Sequence, residues 1–124
     1  MFVMFRLSAI ATAAILALAV APAAAQERGP PERVALSQLA YTLGEAHALR
    51  RVCAGPRDGW WWRRMRRLIE VERPDDGLRR RLTEAFNAGY LAGRAEAPEC
   101  DAAARTAERD AAARGEALAR SLAR

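Results

Sequence analysis

Lysine is absent from the 124 residues, and all 20 basic side chains are arginine. A coding bias accounts for that skew as well as chemistry does. Guanidinium groups nonetheless meet carboxylates and phosphates in forked pairs, so a surface charged this way favours anionic partners. Histidine occurs once, as His47, with Glu45 two residues away on a different helix face. A lone helical histidine is a packing or surface residue far more often than a base. Metal-ligand clusters, Gly-rich phosphate loops and serine-nucleophile motifs are missing, and Ser37 and Ser121 are the only serines after residue 25. These gaps argue against an enzyme, a cofactor or a metal. What remains of an enzyme reading is His47 with Glu45 or Asn87.

Cysteine is scarce, with only Cys53 and Cys100, and they lack the Cys-x-x-Cys spacing of most reactive redox pairs. In an exported chain two such cysteines favour a structural disulfide. Export is itself expected from a stretch without charge. Met1 to Arg6 is a short basic opening, Leu7 to Val20 is apolar, and Ala23, Ala24 and Ala25 are the small residues of a cleavage site. Residues 1–25 therefore read as a signal peptide cut after Ala25, delivering the protein to the periplasm. A retained anchor is the alternative, but the run is short for about 30 Å of hydrocarbon and Pro22 breaks it. No cysteine near the cut suggests a lipoprotein. Loss of Arg6 with that segment takes the net charge from +5 to +4.

Residues 26–31 (QERGPP) read as a flexible lead-in, and residues 32–124 as one helical domain. Leu36, Leu39, Leu43, Ala46 and Leu49 recur at helical steps up to about Cys53, where Ala54-Gly55-Pro56 stops the helix. In the second helix Trp61, Met65, Leu68 and Ile69 share a face. Pro74 ends that helix, and Asp75 or Asp76 caps the next. The third helix turns Leu78, Leu82, Ala85, Phe86 and Gly89 inward, with Arg79, Arg80 and Arg81 solvated. Asn87, next to inward Phe86, is expected to bond a facing helix or nearby backbone. The fourth helix starts at Asp101 and has a thin stripe of Ala104, Ala107, Ala111, Gly115, Leu118 and Leu122. Pairs four apart (Asp101 with Arg105, Asp110 with Arg114, Glu116 with Arg120) should line its surface. Leu39, Leu43, Trp61, Met65, Leu82, Phe86 and Leu118 are the expected core.

Trp60, Trp61 and Trp62 are consecutive, so they cannot all face inward. The expected contact patch is Trp60 and Trp62 with Arg63, Arg66 and Arg67. Arginine beside aromatics also raises nucleic-acid binding, but export and the interleaved acids argue against it.

The residues Leu43-Gly44-Glu45-Ala46-His47-Ala48-Leu49-Arg50 and Cys53 form the first part of a resemblance. Trp61 with Met65-Arg66-Arg67-Leu68-Ile69-Glu70, Ala85-Phe86-Asn87-Ala88-Gly89-Tyr90, Cys100 and Gly115 complete it. Together they resemble a family of small exported alphaproteobacterial proteins defined only by a domain of unknown function. The likeness runs from about Val34 to Leu122, carries the Trp-x3-Met and Phe-Asn-x-Gly-Tyr motifs, and includes both cysteines. It supports the disulfide and implies no activity. Members usually have Trp followed by Arg where this chain has Trp61 followed by Trp62.

The expected fold is all-α: a small four-helix bundle stapled by Cys53–Cys100 and preceded by a signal peptide. The expected role is a non-catalytic interaction or accessory module of the cell envelope, with an envelope protein as partner. Binding to an anionic envelope polymer or to lipid headgroups is the alternative.

Overall fold

The computed structural model describes residues 28–124; the expected signal peptide, its cut after Ala25, and Gln26 and Glu27 lie outside the described residues. Four helices follow in order: α1 (Pro30–Ala54), α2 (Trp60–Glu72), α3 (Asp76–Glu96) and α4 (Ala102–Leu122). There is no strand among the described residues.

The lead-in is shorter and better anchored than the sequence suggests. Prolines occupy the first turn of α1, where a missing N–H leaves nothing unsatisfied, so the helix starts at Pro30 and not near Glu32. Just before it, Arg28 donates from Nε and Nη2 to the two carboxylate oxygens of Glu72 at 3.0 and 2.9 Å. Its Nη1 donates to the Leu122 carbonyl at 3.0 Å. Arg28 thus joins the last residues of α2 and α4 to the entrance of α1. Glu72 is buried, so its carboxylate depends on this partner.

From Thr42 to Leu49 every residue of α1 is buried. An amphipathic helix buries one stripe; one buried all round has neighbours on every side. Here α2, α3 and α4 all pack on α1 much more than on one another. The α1–α3 crossing brings the backbones together at Gly44 and Gly89. Leu36, Leu39, Leu43, Met65, Leu78, Leu82 and Phe86 form the larger core cluster. A smaller one gathers Ala46, Leu49, Ala97, Ala104 and Ala111, and Trp61 packs against both. Trp61 and Leu118, expected as core, are half-buried at its margin.

The caps follow the sequence. Asp75 accepts the Leu78 N–H at 2.8 Å and Asp101 accepts the Ala104 N–H at 2.7 Å. α2 ends at Glu72, and its C-cap Arg73, just before Pro74, takes the left-handed conformation with φ 45°. Cys53 and Cys100 are bonded, with Cα atoms 4.8 Å apart, joining the end of α1 to the residue before the α4 cap. Of the expected pairs on α4 only Glu116–Arg120 forms, at 2.8 Å. Arg114 turns to Glu45 on α1 instead, where the less exposed carboxylate gains more from a partner than Asp110 would in water.

A cleft between α2 and α3

Successive residues of a helix are 100° apart, and the three tryptophans at the start of α2 diverge accordingly. Trp61 turns to the core. Trp60 and Trp62 leave on opposite flanks, so the expected patch containing both is not one surface.

Trp60 belongs to the α1–α2 corner. The Arg64 guanidinium lies 4.1 Å from its ring centroid and that of Arg50 5.5 Å away. Asp58 accepts the Trp60 N–H at 3.1 Å and Arg50 Nε at 3.1 Å. Burial alone would raise the Asp58 pKa, but the Trp60 N–H and Arg50 outweigh it and hold the carboxyl below its usual range. Glu108 of α4 faces both Arg50 and the Trp61 indole nitrogen at 3.5 Å. Although Trp60 is 41% exposed, its surroundings are structural.

Trp62, 46% exposed, meets Phe86 edge-on with ring centroids 5.4 Å apart. It begins a row four residues apart on α2, Trp62, Arg66 and Glu70, which faces Arg79, Thr83 and Asn87 at the same spacing on α3. Between the rows lies a cleft of about 340 Å³, floored by Met65, Ile69 and Phe86. An apolar floor rimmed by two guanidinium groups, one carboxylate, an amide and a hydroxyl can hold a group that is part apolar and part polar or anionic. Asn87 is exposed at this rim with no hydrogen bond to a facing helix, unlike its expected role.

Of the expected contact residues, Trp62 and Arg66 come together here. Arg67 points to the α2–α4 side and Arg63 stays near Gly59. Arg79 and Glu70, which line the far end of the same cleft, were missed. The repeated spacing of four on both helices was the available signal, but only the tertiary fold shows that the rows face each other. Arg63, Arg66, Arg67, Arg79, Arg80 and Arg81 are exposed, and none forms an ion pair among the described residues.

Behind the cleft the rings continue inward. His47 lies 5.7 Å from Phe86 and 5.5 Å from Tyr90 between ring centroids. Arg51 donates to the Tyr90 hydroxyl at 3.0 Å. His47 is buried, and its Nδ1 has no hydrogen-bond partner among the described residues. Burial, reinforced by nearby Arg51, lowers its pKa and favours the neutral ring. Glu45 is engaged by Arg114 and Asn87 lies at the cleft rim, so His47, Glu45 and Asn87 share no hydrogen bond.

No described helix is long and apolar enough to cross a membrane. A family model described as "Protein of unknown function (DUF2385)" matches residues 31–124. No curated protein and no solved structure matches the chain.

Proposed function

The chain belongs to this family of unknown function (DUF2385), and from that premise we propose a non-catalytic interaction or accessory module of the cell envelope, exported to the periplasm. Its contact surface is the α2–α3 cleft. The observation that carries this reading is the setting of Trp62, half-exposed, braced by Phe86 and followed by Arg66 one turn on, with Arg79 lining the far end of the same cleft. An aromatic anchor with arginines beside it is the usual core of a protein contact. The disulfide is compatible with an oxidising compartment.

A second reading has one observation in its favour. Eight exposed arginines of α2 and α3 lack ion-pair partners among the described residues, which suits an anionic envelope polymer or lipid headgroups.

Crosslinking of the tagged protein in its own envelope, at low and high salt, separates the two. An aromatic-anchored protein contact survives salt and disappears in Trp62→Ala, whereas charge-driven binding releases as ionic strength rises. Capture that ignores Trp62→Ala and vanishes with salt would sink the leading reading.

A further inference from the structure

A larger concavity lies elsewhere, between α3 and α4, over the first half of α1. α3 and α4 both pack on α1 and leave this side of it open. Val34, Gln38 and Tyr41 recur at steps of four and three along the open face, with Val34 58% and Tyr41 37% exposed. Ala85 of α3 and Ala117 and Leu118 of α4 supply the walls of a groove of about 960 Å³. Small wall residues allow another backbone to come close.

The rim is cationic. Arg33, Arg81 and Arg114 line it, and no acidic residue does. Arg81 has no ion-pair partner among the described residues. Arg33 pairs with Asp75, and Arg114 with Glu45 below it; the side chain of Arg114 stays 55% exposed. Arg33 and the Glu45 that holds Arg114 are twelve residues apart on α1, about 18 Å along its axis.

We propose that this groove docks a helix of about three turns from a partner protein, apolar on one face and acidic along both edges. An apolar stripe set in a groove is how amphipathic helices are recognised, read at steps of three and four. The spread of the cations decides the occupant. A single lipid headgroup needs its cations at one end, whereas here Arg33 lies on α1, Arg81 on one wall and Arg114 on the other. A second copy docked groove to groove about a two-fold axis would set like-charged rims against each other. Acidic edges along a helix complement unpaired Arg81 on one wall and the exposed guanidinium of Arg114 on the other.

The test places a photoreactive side chain at Val34 or Ala117 of the full chain in the producing cell, with digestion and sequencing of each adduct. The expected result is one partner segment reached from both positions, with apolar residues at steps of three and four and Asp or Glu beside them. A synthetic peptide of that segment should bind the purified protein. Its affinity should fall about tenfold in Arg81→Glu, a variant whose melting curve stays that of the wild type because Arg81 is exposed and unpaired. Adducts to lipid, to a second copy or to a segment without acids would overturn the proposal. So would the absence of adducts from both positions, or equal peptide affinity in Arg81→Glu.

Discussion

Gly44 and Gly89 are reciprocal in the α1–α3 crossing. A Cβ on Gly44 would stand 1.9 Å from the Phe86 carbonyl oxygen, and one on Gly89 1.9 Å from that of Tyr41. Both obstacles are backbone, so neither can swing aside. Gly44→Ala or Gly89→Ala should each destabilise the fold by about 3 kcal/mol, read by denaturant unfolding. Gly115 is the control. A Cβ there meets only ordinary contacts at 3.4 and 3.7 Å, so Gly115→Ala should stabilise by up to about 1 kcal/mol through helix propensity. Equal effects at Gly44 and Gly115 would refute the close crossing.

Arg28→Ala removes the partner of a carboxylate whose side chain is only 8% exposed, and should cost about 3 kcal/mol. In a double-mutant cycle with Glu72→Gln the two losses should be well short of additive. Additive losses would mean that the pair does not couple α1 to α2.

Trp61 touches both core clusters, whereas Trp62 gives up mainly an edge-on contact with Phe86. Trp61→Ala should cost about 3 kcal/mol and Trp62→Ala about 1 kcal/mol. Thermal melts of the two variants check the order, and its reversal would misplace the core indole.

The disulfide closes a loop between residues 47 apart, worth about 4 kcal/mol in the chain-entropy treatment. Reduction should lower Tm by roughly 16–32 °C. Because α4 meets α1 largely through alanine and glycine, hydrogen exchange should show α4 loosening first. Unchanged protection of α4 after reduction would contradict that order.

His47 makes stability depend on pH with a definite sign. Burial lowers its folded pKa below the ordinary 6.5, so the unfolded chain takes up a proton that the folded one resists. The contribution is complete above about pH 6.5 and is lost as pH falls through the folded value. Tm should therefore drop between pH 7 and pH 5, and His47→Gln should flatten that slope. Asp58 and Asp75, whose pKa values lie below their usual range, contribute to losses at lower pH, which should remain in the variant. A slope unchanged in His47→Gln would assign it to other groups.

Helix positions, the caps at Asp75 and Asp101 and the stop at Gly55 were legible in the sequence, because each depends on residues within a turn or two of one another. The two cysteines marked their own bond, having no other partner. The second-helix face of Trp61, Met65, Leu68 and Ile69 also followed from local spacing. Arg28 did not, since its partners are 44 and 94 residues away. Nor did the choice of Glu45 over Asp110 by Arg114, which turns on how far each carboxylate is removed from water.

By itself the sequence determined four helices, most of their ends, the covalent staple and the fact that three adjacent tryptophans must part. Those outcomes rest on helical periodicity, short-range hydrogen bonds and the chemistry of two thiols. Only the tertiary structure decided that α1 would be the central helix, that Trp62 would face Phe86 across a cleft while Trp60 was packed into a corner, and that α3 and α4 would leave a groove between them. Each depends on how closely two backbones can approach, and Gly44 and Gly89 set that distance only where they meet.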